Sequence, residues 1–210
     1  MADAKLSALA SGTPTDSDEI YINDGGNSRK ITIAALRTAL GGVGFIPMDI
    51  SSLREIATND IQNLAAHGGI LAVDSVPKLE RTVAGTTDKS LRVTWELGET
   101  DEVQFPPVIM PPDLDETSDV ILHLVAEMGG ATDTPTIVVN AWDGVGDTEV
   151  GGATGVVTDA IVEVTRTLVA ADISGNPLGF LNIGLVPSTH GTDALFLYAA
   201  WMEYTKKLPV

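Results

Sequence analysis

Carboxylates are the commonest reactive groups in this chain, and they gather in two places. Asp113, Asp115, Glu116 and Asp119 follow Pro111-Pro112. Asp143, Asp147 and Glu149 surround a glycine-rich turn. Two carboxyls can hydrolyse a glycoside when they face each other across a groove lined by sugar-stacking rings. Aromatic residues make up only 5 % of the chain, and Trp142 alone lies next to such a cluster. Hydrolysis is therefore not expected, and no residue is assigned a catalytic role. Hard oxygen ligands on a loop suit Ca2+ better than catalysis, yet the spacing matches no EF-hand loop. Solvated turn residues are the expected role of these acids. Trp142 beside Asn140 and Asp143 offers a ring face with polar neighbours, the chemistry of sugar binding without hydrolysis. A core tryptophan is the competing reading.

Other chemistries lack their residues. His67, His123 and His190 stand far apart, in neither an H-E-x-x-H nor an H-x-H pattern. There is no cysteine, hence no disulfide, thiolate metal site or cysteine nucleophile. Neither a serine elbow nor a phosphate-cradling glycine loop is present. No cofactor and no metal is expected. The 29 acidic residues outnumber 12 basic ones, a net charge of −17. That field repels phosphate backbones and anionic bilayers, so neither nucleic acid nor membrane is an expected partner. No apolar run approaches the ~18 residues of a membrane span. Met1-Ala2-Asp3-Ala4-Lys5 shows no basic segment leading into an apolar core, so no export signal is expected.

The elements that must position such residues are mostly strands. Leu91, Val93, Trp95 and Leu97 alternate with polar residues. Val120 to Met128, Thr136 to Trp142, Ile161 to Val169, Phe180 to Val186 and Leu195 to Tyr204 add further strands. Glycine-rich spacers separate them. Many short strands with turns between them predict a mainly β protein, an antiparallel β-sandwich of jelly-roll type, over residues 71–210. In the last strand strict alternation puts Leu195, Leu197, Ala199 and Trp201 on one face. Phe196, Tyr198, Ala200, Met202 and Tyr204 fall on the other, and both faces are apolar. A second burial surface is implied, a covering loop or another subunit. For a subunit interface the candidates are Phe196, Tyr198, Met202 and Tyr204.

Residues 45–70 read as a neck with a short helix. Ser52-Leu53-Arg54-Glu55 fits a capping box. Ile50, Leu53, Ala57 and Leu64 could form one stripe, needing symmetry copies or its own domain as partner.

Residues 1–44 are different again. Lys5-Leu6-Ser7-Ala8-Leu9 is followed by Asp18-Glu19-Ile20-Tyr21-Ile22-Asn23-Asp24-Gly25-Gly26. Arg29-Lys30-Ile31-Thr32-Ile33-Ala34-Ala35-Leu36 completes the segment. An apolar anchor, a strand, a glycine turn, a second strand and a brief helix make a small α+β segment, too little to bury a core alone. This order resembles the N-terminal virion-attachment segments of tailed-phage fibre proteins, over roughly residues 5–40. The ending Thr192-Asp193-Ala194-Leu195-Phe196-Leu197-Tyr198 to Glu203-Tyr204-Thr205 resembles the closing strand of small β-sandwiches in virion proteins. The resemblance implies a non-enzymatic virion structural protein, a small fibre or decoration subunit assembled in the host cytoplasm. Its partners would be other virion proteins of tail, connector or capsid, and two further copies in a homotrimer. Leu6, Leu9, Ile20, Ile22, Ile31, Ile33 and Leu36 are the docking candidates. The alternative is a carbohydrate-binding module for host surface glycan, contacting it through Asn140, Trp142 and Asp143.

Overall fold

The computed structural model describes residues 19–24, 27–33, 42–57, 60–61, 70–72, 76–82, 90–144, 150–173 and 179–207. The chain divides into two compact units, with the boundary between Gly42 and Val43.

In the first unit β1 (Glu19–Asp24) and β2 (Asn27–Thr32) form an antiparallel hairpin, with Ile20 opposite Ile31 and Ile22 opposite Arg29. An exposed pair, Lys30 Nζ to Glu19 Oε2 at 2.8 Å, ties the two strands. Such a pair contributes at most about 1 kcal/mol. Ile33 follows β2 and is half-buried. Leu6, Leu9 and Leu36 lie outside the described residues.

The second unit is an antiparallel β-sandwich. Its strands are β3 (Val43–Met48), β4 (Arg54–Ala57), β5 (Asp60–Ile61), β6 (Lys78–Arg81), β7 (Leu91–Trp95), β8 (Glu102–Gln104) and β9 (Val108–Ile109). Then come β10 (Val120–Met128), β11 (Thr136–Asp143), β12 (Gly152–Val156), β13 (Val162–Leu168), β14 (Phe180–Pro187) and β15 (Leu195–Thr205). A short helix, α1 (Ala170–Ile173), follows β13. One sheet runs β13-β10-β15-β7-β6, with β3 completing the free side of β15; the other runs β12-β11-β14-β8-β4-β5, with β9 on β14. β10 shows why they stack: Val120, Leu122, Leu124, Ala126 and Met128 are buried and the residues between them are not. Each large apolar side chain so removed from water contributes about 1.5–3 kcal/mol. Ile137, Val139 and Ala141 of β11 and Leu181, Ile183 and Leu185 of β14 supply the opposing layer.

Two expectations are corrected. First, residues 45–57 are part of the sandwich and not a neck. β3 pairs with β15, from Val43 opposite Thr205 to Met48 opposite Ala200, and β4 pairs with β8. Ile50 and Leu53, read as a helical stripe, are buried in the core. The Ser52–Glu55 box does not form. Asp49 caps instead, accepting from Ser51 N–H at 2.8 Å and Ser51 Oγ–H at 2.7 Å, and holds one 3-10 turn, Ile50–Ser52. The ring of Pro47 crowds the backbone of Ile46 out of the helical region and keeps it extended. Leu64 and His67 lie outside the described residues.

Second, β15 does not divide its residues by strict alternation, although both of its faces are apolar: Phe196, Tyr198, Ala199 and Trp201 are half-buried on the outer side. Its pairing with β10 runs from Glu203 opposite Ile121 to Ala199 opposite Val125, then shifts so that Leu197 meets Ala126. Tyr198 is the extra residue of a β-bulge, and the bulge reverses the facing of the strand beyond it. Leu195, Leu197, Ala200, Met202 and Tyr204 therefore all face the core; Met202 is 0 % and Tyr204 7 % exposed. Neither is available to another subunit. The Tyr204 ring lies against Gly44, where a β-carbon would meet it at 2.2 Å, and its hydroxyl donates to Asp113 Oδ1 at 3.1 Å.

Candidate functional site

The solvent-side faces of the two sheets differ in what they leave open. On the β15 sheet, the aromatic rings are occupied by neighbours from the same chain. Trp201 stacks on His123, centroids 4.9 Å apart and planes within 8°. His123 Nδ1 is also 2.7 Å from Glu163 Oε1. Arg92 sits 3.7 Å over the Phe196 ring and bonds Glu80. Tyr198 donates to Glu127 at 2.7 Å. Of the four subunit-interface candidates, only Phe196 and Tyr198 lie on this outer face, both half-buried.

The other sheet is more open in its chemistry. Because Ile137, Val139 and Ala141 point into the core, period-two alternation turns Asn140 and Trp142 outward. Both are half-buried. Among the described residues no ring stacks on Trp142. Asn140 lies opposite Gly184 on β14, Gly184 opposite Gln104 on β8, and Gln104 opposite Arg54 on β4. This is a polar row across four strands. The next row begins with Trp142 opposite Asn182, whose amide donates to the Gly144 carbonyl at 3.1 Å. Gly184 forms the floor. A β-carbon there would stand 1.9 Å from Glu102 Oε1, so one oxygen of the Glu102 carboxylate rests over the glycine. Burial pushes the Glu102 carboxyl above its ordinary pKa, and a hydrogen bond from Asn140 partly offsets this.

The candidate trio Asn140, Trp142 and Asp143 is thus divided. Asn140 and Trp142 share the face, whereas Asp143 pairs with the fully buried Leu181 and belongs to the opposite side of the strand. Glu102, Gln104, Asn182 and Gly184 join the site without having been singled out. The signal for two of them lies in Phe180-Leu181-Asn182-Ile183-Gly184-Leu185, where polar or small residues recur at every second position of an apolar run.

In the first acidic cluster Asp115 holds a turn and Asp119 reaches the start of α1. Asp115 Oδ1 accepts from Thr117 N–H at 3.0 Å and its hydroxyl at 2.7 Å, and Asp119 Oδ1 from Ala170 N–H at 2.8 Å. Asp147 and Glu149 lie outside the described residues. Among the described residues no group of three or more His, Asp or Glu side chains is placed to hold a metal ion. His190, 0 % exposed, has its ring nitrogens 3.0 Å from the Ser188 carbonyl and 3.1 Å from the Glu96 carbonyl, a structural pin.

No protein-family model matches this chain, and no curated protein sequence does. Solved structures do resemble it. The xylan-binding module CBM15 is 12 % identical, with a TM-score of 0.50, covering 80 % of this chain and all of that one. The family 30 carbohydrate-binding module of a cellulosomal cellulase of Clostridium thermocellum is 8 % identical, covering 76 % of this chain and 96 % of that one, with a TM-score of 0.45. The N-terminal endo-1,4-β-D-xylanase 10B of Clostridium thermocellum, its CBM22-1 and GH10 modules complexed with xylohexaose, is 15 % identical. The match covers 79 % of this chain and 28 % of that one, with a TM-score of 0.42. The likeness to CBM15 establishes a shared fold: a β-sandwich of the kind found in carbohydrate-binding modules.

Proposed function

We propose that the sandwich is a non-catalytic carbohydrate-binding module, and that its glycan face is the trough of Asn140, Trp142, Asn182, Gly184, Glu102 and Gln104. One observation carries this reading. A tryptophan on which no ring among the described residues stacks shares an outward face with three amides and a carboxylate that rests on a glycine. Apolar planes with a few placed hydrogen-bonding groups are what small polyhydroxylated ligands require. The similarity of fold to the xylan-binding module CBM15 supports it. Among the described residues the trough supplies one carboxylate, Glu102, where glycoside hydrolysis uses two. That carboxylate and the net charge of −17 disfavour anionic sugars, so the ligand is a neutral glycan. Calorimetry with xylohexaose, cellohexaose and β-1,4-galactohexaose tests the reading. Binding to at least one, abolished by Trp142→Ala in a protein that still melts cooperatively, is expected. No binding to any of the three would refute it.

A second reading concerns what carries the module. The resemblance of residues 5–40 to tailed-phage attachment segments would make the chain a fibre or decoration subunit, trimeric and docked by its N-terminus on other virion proteins. The β1–β2 hairpin favours it, being a strand pair in a compact unit of its own, at the place the resemblance requires. The host surface glycan would then be the ligand of the trough. Light scattering on the full chain is expected to give a trimer; a monomer at micromolar concentration would end the trimeric reading.

A further inference from the structure

The trough has a built end. Its second row starts with Trp142 opposite Asn182. A ladder bond from Phe105 N–H to the Ile183 carbonyl, 2.9 Å, carries the β8–β14 pairing one residue past Gln104. Continued by one further residue, that register sets Pro106 opposite Asn182, before the pairing shifts to Leu181 opposite Val108. Pro106 and Ser52 together line an open cavity of about 180 Å³, with Pro47, Asp49, Pro107 and Val108 among its other walls. The cavity is well below the ~300–1,000 Å³ of a cleft for a drug-sized ligand, so it holds a small unit rather than a whole oligomer. Its lining spans the β8 and β4 sides of the row, two to three strand spacings or about 10–14 Å from β11. The segment from Pro47 to Ser52, which leaves the other sheet, forms its wall.

The wall offers acceptors. Asp49 Oδ1 and Oδ2 each already accept one hydrogen bond from Ser51, which holds the carboxyl below its ordinary pKa. Each oxygen keeps a further lone pair for a hydroxyl donor. Ser52 Oγ donates to the Asp49 carbonyl at 2.6 Å and can itself accept. Pro47, Pro106 and Pro107 give the lining apolar surface. No cationic side chain lines the cavity.

Resting on the glycan-binding reading above, we propose that this cavity is a terminal subsite. It takes the end unit of a neutral oligosaccharide whose other units lie along Asn182 and Trp142, so the module recognises chain ends rather than chain interiors. A chain laid along the row meets the Pro47–Ser52 wall, and the hydroxyl freed at its end faces the Asp49 and Ser52 acceptors.

The test uses the full chain and whichever of xylohexaose, cellohexaose or β-1,4-galactohexaose it binds. The polysaccharide of that linkage is cut to two mean chain lengths, and binding sites per unit mass are counted by calorimetry. End recognition gives twice the sites per mass when the mean length is halved. Ser52→Trp, which fills the cavity, is expected to weaken hexaose binding at least tenfold while Trp142 remains in place. Sites per mass that do not change on cutting would overturn the proposal even if Ser52→Trp misfolds. Binding that Trp142→Ala abolishes, with sites per mass constant, overturns end recognition and leaves the glycan reading standing. No binding to any hexaose overturns both.

Discussion

Gly184→Ala separates the fold of the trough from its use. Gly184 has no left-handed backbone, so alanine fits its conformation. Fewer unfolded conformers then favour the native state by about 0.4–1 kcal/mol. Against this, the new methyl group occupies the place of Glu102 Oε1, 1.9 Å away. Glu102 is displaced at its far end, not its backbone, and its bond from Asn140 is lost. A hydrogen bond to a charged group contributes about 1.5–3 kcal/mol, but the carboxylate regains water as it swings out. The net loss is expected to stay within about 2 kcal/mol, a fall in Tm of no more than about 8 °C for a domain of this size. Glycan binding is affected more. Removing the one carboxylate from the floor forfeits a charge-assisted bond to a ligand hydroxyl, about 10- to 100-fold in Kd. Differential scanning calorimetry and titration with the bound hexaose measure the two effects. In a Glu102→Gln background the alanine substitution should cost little further binding. Wild-type affinity in Gly184→Ala, at an unchanged or modestly lowered Tm, would refute the placement of Glu102 in the site.

Glu55 is 9 % exposed and its Oε2 has no hydrogen-bond partner, while burial, then Asp101 and Glu99, raise its pKa above 4.5. The native state therefore disfavours the ionised form. That penalty is absent below about pH 4.5 and complete once pH exceeds the raised native value. Glu55→Gln is expected to stabilise the protein by about 1–3 kcal/mol at pH 7 and by nothing at pH 3.5, read from urea melts at both. Met202→Ala should cost about 2–5 kcal/mol in the same assay, as a core truncation, without changing the molecular mass seen by light scattering. Phe45→Ala, at a side chain 61 % exposed, should leave stability within about 0.5 kcal/mol of wild type.

The strands of the second unit were legible because one face of each is dry. Every second residue of Val120–Met128 is apolar and buried, and His123 and Glu127 mark the other side. Alternation misled where the backbone departs from it. Nothing in Leu195–Tyr204 announces that Tyr198 is an extra residue, because the signal is a pairing offset against β10 and not a residue type. The offset sets Ala199 and Trp201 beside Phe196 and Tyr198 on the outer face and turns Ala200, Met202 and Tyr204 to the core. Residues 45–57 misled for another reason: Ile50, Leu53 and Ala57 fit a helical stripe, but partner strands β15 and β8 decide their conformation. Trp142 and Asn140 were readable as a pair. Glu102 and Gln104 were not, since only the sheet order β11-β14-β8 brings them beside Asn140.

Val43 and Thr205 share the outermost rung between β3 and β15. The second unit is thus gripped at a single corner by the chain that leads into it and the chain that leads out. Tension applied between those two points does not shear the ladder, which would require all its bonds to fail together. It opens the rungs in turn, from Thr205 towards Ala200, like a zip fastener. The same closeness means that a short tether could join the two ends, and that new ends cut at a distant turn would leave every rung intact.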